Sequence, residues 1–202
     1  MTDSHDESRG DADTRAALVR VAADQAGFFT TAQALDAGYA STDLGDRILD
    51  GTWRRIDRDL YRLAGHPTSD LDEYAKWCAW FGGGAVVSHQ SAAELYGLGH
   101  LYPRFIHLST VLTPPSPTTA LALHRRALAP EECQRLGGIR LTTPVRTVLD
   151  LAGGGISQEL LDEVVGDGVA IARFRPDELQ AAVATGAADV ARRIEHALAA
   201  CT

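Results

Sequence analysis

The sequence is poor in the features that mark a secreted, membrane-bound or metal-dependent protein. Its three cysteines, Cys78, Cys133 and Cys201, stand far apart with no CxxC pair. An odd, scattered set suits a reducing cytoplasm and small packed residues better than disulfides or ligands. The start has no basic segment followed by an apolar core, so no secretory signal is expected. No apolar run approaches the roughly 20 residues that span a bilayer. A soluble, cytoplasmic protein with no membrane partner is therefore expected. Positive charge is also scarce: a net −8 over 202 residues excludes nonspecific nucleic-acid binding by the whole surface. No internal repeat is present.

What is there begins with a 45% share of hydrophobic residues, enough for a packed core without metals or disulfides. Charge is unevenly distributed. Residues 1–13 hold Asp3, Asp6, Glu7, Asp11 and Asp13 against Arg9, which is half of the net charge. This acidic, apolar-poor stretch reads as a disordered tail.

Thr14 can then cap a helix with Leu18, Val21 and Ala22 on one face, ended by Gly27. Thr30 or Thr31 caps a second helix carrying Ala32 and Leu35. Gly38-Tyr39-Ala40 is the turn, and Ser41 caps a third helix with Leu44 and Ile48 inward, stopping near Gly51. Trp53 to Asp57 and Leu60 to Leu63 are short β-leaning runs around Arg58-Asp59, a hairpin with Arg54, Arg55, Arg58 and Arg62 within nine residues. Helix, turn, helix, arginine hairpin is the sequence form of a winged helix-turn-helix over residues 14–66, whose second helix enters the DNA major groove while hairpin arginines contact phosphate. A plainer reading stands beside it. Between Ser41 and Leu63 five arginines meet Asp43, Asp46, Asp50, Asp57 and Asp59, so the module has no local charge surplus. Such a helix is a poor electrostatic partner for phosphate, and a structural or protein-contact role fits it too.

His66-Pro67-Thr68-Ser69 reads as a linker opening a second domain over 67–202, a mixed α/β domain ending in helices. The class of the whole is α+β. A helix with Leu71, Tyr74, Ala75, Cys78 and Ala79 ends at Gly82-Gly83-Gly84, a stop signal that lacks the lysine-bearing phosphate-loop pattern. Ser91-Ala92-Ala93-Glu94 has capping-box spacing, placing a helix start near Ser88–Ser91. Ser88-His89 invites a nucleophile-and-base reading, but no acidic partner is evident, and a structural histidine at a helix start is preferred. Phe105 to Ser109, Leu121 to Arg125 and Ile139 to Thr142 read as strands. His107 and His124 alternate with apolar residues on two of them without a third ligand, so no metal is assigned. Pro114, Pro115 and Pro117 imply an exposed loop. Thr143-Pro144 starts a helix in which Arg146 and Asp150 are spaced i,i+4, which allows a salt bridge worth about 0.3 kcal/mol if exposed. Ser157 and Pro176 open further helices, and the last places Val190, Ile194 and Leu198 at steps of four.

The run GFFTTAQALDAGYASTDLGDRILDGTWRRIDRDLYRL, with VVSHQSAAELYGL and IRLTTPVRTVLDLA after it, resembles the AbiEi-type antitoxins of type IV toxin–antitoxin systems over residues 15–152. The resemblance implies a non-enzymatic, cofactor-free antitoxin whose partners are operator double-stranded DNA and a nucleotidyltransferase-like toxin, and which represses its own operon. By position, Thr31, Ser41, Thr42, Asp43, Asp46 and Arg47 match the groove-facing helices, and Arg54, Arg55, Arg58 and Arg62 the wing. Asp59 stands where a glycine is common in the family. Some relatives carry a nuclease domain after a similar front half; residues 156–202 contain no lysine and read as helices, which excludes one here.

Overall fold

The computed structural model describes residues 3–184 and 187–201, with backbone alone for residues 3–9. The chain divides into two units: Met1–Ala85 with Leu112–Ser116 and Arg135–Ile139, and Val86–Val111 with Pro117–Gln134 and Arg140–Thr202.

The first unit runs α1 (Asp3–Ala23), β1 (Phe28–Thr30), α2 (Thr31–Asp36), α3 (Asp43–Leu49), β2 (Trp53–Asp57), β3 (Leu60–Leu63) and α4 (Asp72–Trp80). The strands form an antiparallel sheet in the order β1-β3-β2, with Phe29 opposite Tyr61 and Trp53 opposite Leu63. Strand alternation turns Phe29, Tyr61 and Trp53 to one face. There they meet Leu18 and Ala22 of α1, Ala34 of α2, Tyr39 of the turn and Leu44 of α3. Trp53 packs edge-on against Phe29 at 4.8 Å and Tyr39 at 4.9 Å, contacts worth about 0.5–1.5 kcal/mol each beyond area burial.

Three expectations change. Residues 3–13 are not a separate tail: they continue α1 to Asp3, while residues 1–2 lie outside the described residues. The stretch contains no proline, and each residue added to an existing helix gains a hydrogen bond without new nucleation. Phe28–Thr30, where no strand is expected, is a third strand. The unit does not stop at His66. Arg62 of β3 reaches across the proposed linker to the Pro67 carbonyl (2.9 Å) and pairs with Asp72 (2.8 Å), while Gln33 of α2 donates to the Gly82 carbonyl (3.2 Å). These contacts make α4 part of the first unit.

The second unit begins with β4 (Val86–Val87) and α5 (His89–Tyr96), followed by β5 (Ile106–Thr110) and β6 (Leu121–Arg125). A 3₁₀ turn (Pro130–Glu132), β7 (Cys133–Leu136), β8 (Ile139–Thr142) and helices α6 (Pro144–Gly153), α7 (Gln158–Ala170), α8 (Pro176–Val183) and α9 (Ala188–Ala200) follow, with the Arg135–Ile139 part of β7 and β8 assigned to the first unit. Its sheet has the order β6-β5-β4-β8-β7, with β4 antiparallel to β5 and parallel to β8, and β5 parallel to β6. The proline-rich stretch between β5 and β6 carries no helix or strand. Thr143 caps α6, accepting from the Arg146 amide at 3.3 Å, with Pro144 in the first turn. Ser157 caps α7 in the same way. On α9 the buried residues are Ile194 and Ala197. Ser91 caps nothing, because α5 already starts at His89 after an N-cap at Ser88; the Ser91 hydroxyl accepts from the His107 amide (3.0 Å). Among the described residues no helix is long and apolar enough to cross a membrane.

Candidate nucleic-acid interface

Thr30 fixes the start of α2 through a full capping box: its hydroxyl accepts from the Gln33 amide (3.2 Å) and the Gln33 side chain accepts from the Thr30 amide (3.0 Å). The chain then turns at Gly38, whose φ of 107° suits glycine, and enters α3 from an N-cap at Thr42 rather than Ser41. Leu44 is buried and Ile48 half-buried, so the helical period leaves Asp43, Asp46, Arg47 and Asp50 along the outer side.

The acidity of that side has a local cause. Asp43 accepts from the Ala40 amide (2.8 Å) and closes the turn before α3. Asp50 accepts from the Thr52 amide (2.8 Å) and hydroxyl (2.6 Å), closing the turn after it. Those Thr52 hydrogen bonds, with Arg47 nearby, hold the Asp50 carboxyl below its ordinary range. Arg47 lies 3.4 Å from Asp50 and sits over the Tyr39 ring at 5.8 Å. Ser41, Thr42 and Asp46 are exposed. Leu49, 86% exposed, ends the same helix, an apolar group at the surface that the sequence reading placed nowhere.

The hairpin arginines do not form one patch. Arg54 faces Arg62 in register and Arg55 faces Tyr61, so Arg54 and Arg55 project to opposite sides of the sheet. Arg54, Arg55 and Arg58 are exposed. Arg55 donates to the carbonyls of Asp57 (3.3 Å) and Arg58 (3.1 Å), bending over the turn without meeting a carboxylate. Arg62 is different. It is 8% exposed, paired with Asp72 and stacked over Phe28 at 4.8 Å, so it is a packing residue and not a phosphate contact. Thr31 is also engaged: its hydroxyl donates to the Asp59 carboxylate (3.3 Å) and its amide to the Asp59 carbonyl (3.1 Å). Asp59 thereby ties the hairpin to the start of α2.

In the second unit a buried polar cluster joins residues that the sequence reading kept apart. The Ser109 hydroxyl donates to Ser88 Oγ (2.8 Å), and Ser88 Oγ lies 3.0 Å from His89 Nδ1. His89 stacks on His124 with centroids 3.4 Å apart, and His124 Nε2 is 3.0 Å from His107 Nδ1. Burial, then the neighbouring His124 and His107 charges, lowers His89 to about 3; burial and His124 lower His107 to about 4. His89 and His107 are therefore neutral at physiological pH, and burial lowers His124 as well. Arg146 and Asp150 form the i,i+4 pair that their spacing allows, and they do so in the interior, 9% and 5% exposed. Burial opposes the Arg146 charge, but Asp150 and Glu132 outweigh it and raise its pKa. The i,i+4 spacing signalled the pair, but not its burial. Among the described residues no group of three or more His, Cys, Asp or Glu side chains is placed to hold a metal ion.

Comparison with solved structures finds similarity to the crystal structure of the RV2827C protein from Mycobacterium tuberculosis. The identity is 13% and the TM-score 0.55, over 91% of this chain and 75% of that one, a likeness of fold alone. No curated protein matches the sequence. The model of a family described as transcriptional regulator, AbiEi antitoxin, matches residues 16–64. That span covers α1 from Ala16, the α2–turn–α3 segment and the arginine hairpin, so the front of this chain is similar in sequence to the AbiEi antitoxin regulators.

Proposed function

We propose that the chain is an antitoxin that represses its own operon through residues 14–66 acting as a winged helix-turn-helix, and neutralises a nucleotidyltransferase-like toxin through the rest. The element order α1-β1-α2-α3-β2-β3 carries this reading: it presents α3 and a two-residue-turn hairpin as neighbours in sequence on one small antiparallel sheet. In this reading Thr42, Asp46, Arg47 and Leu49 meet base edges, and Arg54, Arg55 and Arg58 meet phosphates. Asp46 is suited to accept from a cytosine amino group once those arginines offset its charge. The protein acts by binding and needs no catalytic step.

Full-length protein should retard a duplex of its own promoter at low salt, with a scrambled duplex of equal length bound more weakly. It should also protect cells that express the toxin encoded beside it. No retardation at low salt removes the repressor half; no protection removes the antitoxin half.

A second reading has its own support. Arg62 is drawn into the protein, Arg47 is shared with Asp50, and Asp46 stands exposed on α3. In that reading the winged helix is structural and the chain only binds toxin. Co-purification with the toxin together with flat DNA-binding curves selects it.

A further inference from the structure

The first unit holds a cavity of about 450 Å³ between α1, the turn before α3 and the start of β2, lined by Arg15, Val19, Tyr39, Arg47, Trp53 and Leu63 among others. All of its lining belongs to that unit, and no aspartate or glutamate is part of it. Two of its residues carry polar groups without a partner. Trp53 is 3% exposed and Tyr39 9%, and neither the indole N–H nor the phenol hydroxyl makes a hydrogen bond among the described residues. A buried Trp or Tyr ordinarily finds such a partner. These two groups are not sealed off, because the enclosed unpaired side-chain atoms among the described residues are Arg62 Nε and Asp150 Oδ2. The little surface that Trp53 and Tyr39 keep therefore takes in their polar atoms, and this cavity is the opening that both residues line.

The charged groups are cations. The Arg47 guanidinium lies over the Tyr39 ring at 5.8 Å, which puts it at the same wall. Its carboxylate partner, Asp50, stands 3.4 Å away, longer than a good hydrogen bond, and is already held by the Thr52 amide and hydroxyl. Arg15, one helical turn before Val19 on α1, is exposed and has no ion pair among the described residues. Asp11 lines the adjoining depression, which shares Arg15, Val19, Tyr39 and Arg47, and does not line this cavity. Val19, 43% exposed, and half-buried Leu63 leave the rest of the wall apolar. Arginine and tryptophan side chains can only donate, so the cavity offers donors and cations beside an apolar surface. A ring fits the apolar part, and an anion with two acceptor oxygens fits the guanidiniums.

We propose that this cavity binds a small aromatic carboxylate, with its ring against Val19 and Leu63 and its carboxylate drawn to Arg15, Arg47 and the unpaired Tyr39 and Trp53 donors. The site lies wholly in the first unit, and the proposal does not depend on DNA binding or toxin neutralisation by the chain.

The test is thermal denaturation and calorimetric titration of the full-length protein, without DNA, using benzoate, 1-naphthoate and indole-3-acetate. Benzamide, 1-naphthamide and indole-3-acetamide serve as neutral counterparts, and acetate as the anion without a ring. At least one aromatic carboxylate should raise Tm saturably and bind at least about tenfold more tightly than its amide or acetate. Arg15→Ala keeps the Arg47–Asp50 pair and should fold with weakened binding, and the Arg15→Ala, Arg47→Ala double variant should lose about tenfold or more in affinity. Arg54→Ala, on the hairpin and outside the lining, should bind as wild type does. The proposal is overturned if no aromatic carboxylate shifts Tm, if the amides or acetate bind as well, or if Arg15→Ala and the double variant retain wild-type affinity.

Discussion

Arg54 and Arg62 sit opposite each other on adjacent strands, yet one is a surface cation and the other an interior one. Asp72 makes the difference. It follows β3 by only nine residues and offers a carboxylate 2.8 Å from Arg62, while Phe28 offers a ring face. Removing one member of a buried pair strands the other, so Arg62→Ala should destabilise the protein by about 3 kcal/mol in urea denaturation. Arg54→Ala, being exposed, should change stability by less than about 0.5 kcal/mol. Equal effects of the two substitutions would contradict this assignment. Nothing within 54–62 distinguishes the two arginines, because the partner lies beyond the apparent linker. The same holds for Asp43 and Asp50. Their charges are visible in the sequence as a defect in a DNA-reading helix, whereas their hydrogen bonds to Ala40 and Thr52 make them turn-closing residues.

Among elements, α2 depends on its cap more than on its length. It has six residues, too few to persist alone, and Thr30 satisfies one of its first amides. Thr30→Ala should cost about 1 kcal/mol of global stability by the same denaturation measurement. The sheet of the second unit carries a different liability, since β5, β6 and α5 bring His107, His124 and His89 together with neighbouring Arg126, Arg146 and Asp150. His89 and His107 stay neutral in the folded protein down to about pH 3 and 4, whereas the unfolded chain takes up those protons near 6.5. Their contribution is complete above about pH 7 and is lost as pH falls from 6.5 towards 4, by about 1.4 kcal/mol per pH unit for each proton bound only by the unfolded chain. Tm should therefore fall between pH 7 and 5, and a His89→Gln, His107→Gln variant should show a shallower fall. An unchanged slope would show that these rings titrate normally. The hairpin of β2 and β3 was legible to the residue because turn residues bound two β-leaning runs. Strand β1 was not: three residues are too short for alternation, and Phe28-Phe29 becomes a strand only because β3 pairs with it.

At the scale of the whole molecule, the α+β class, the helices after Gly155 and the likeness of residues 16–64 to the AbiEi regulators were all readable from patterns within short windows. The division between units was not. Pro67, Thr68 and Ser69 have linker composition, but α4 is held to the first unit by side chains at both ends of a long separation, Gln33 to Gly82 and Arg62 to Asp72. Composition reports local preference and carries no record of such pairings. The central claim is that an acidic chain grips duplex DNA through a few hairpin arginines. Its most direct test is the salt dependence of affinity for the chain's own promoter. Three arginines at phosphates give a slope of log K against log salt of about −3 for each bound chain, and the Arg54→Ala, Arg55→Ala, Arg58→Ala variant should lose that much of the slope. A triple variant that binds the promoter with the wild-type slope would contradict the account.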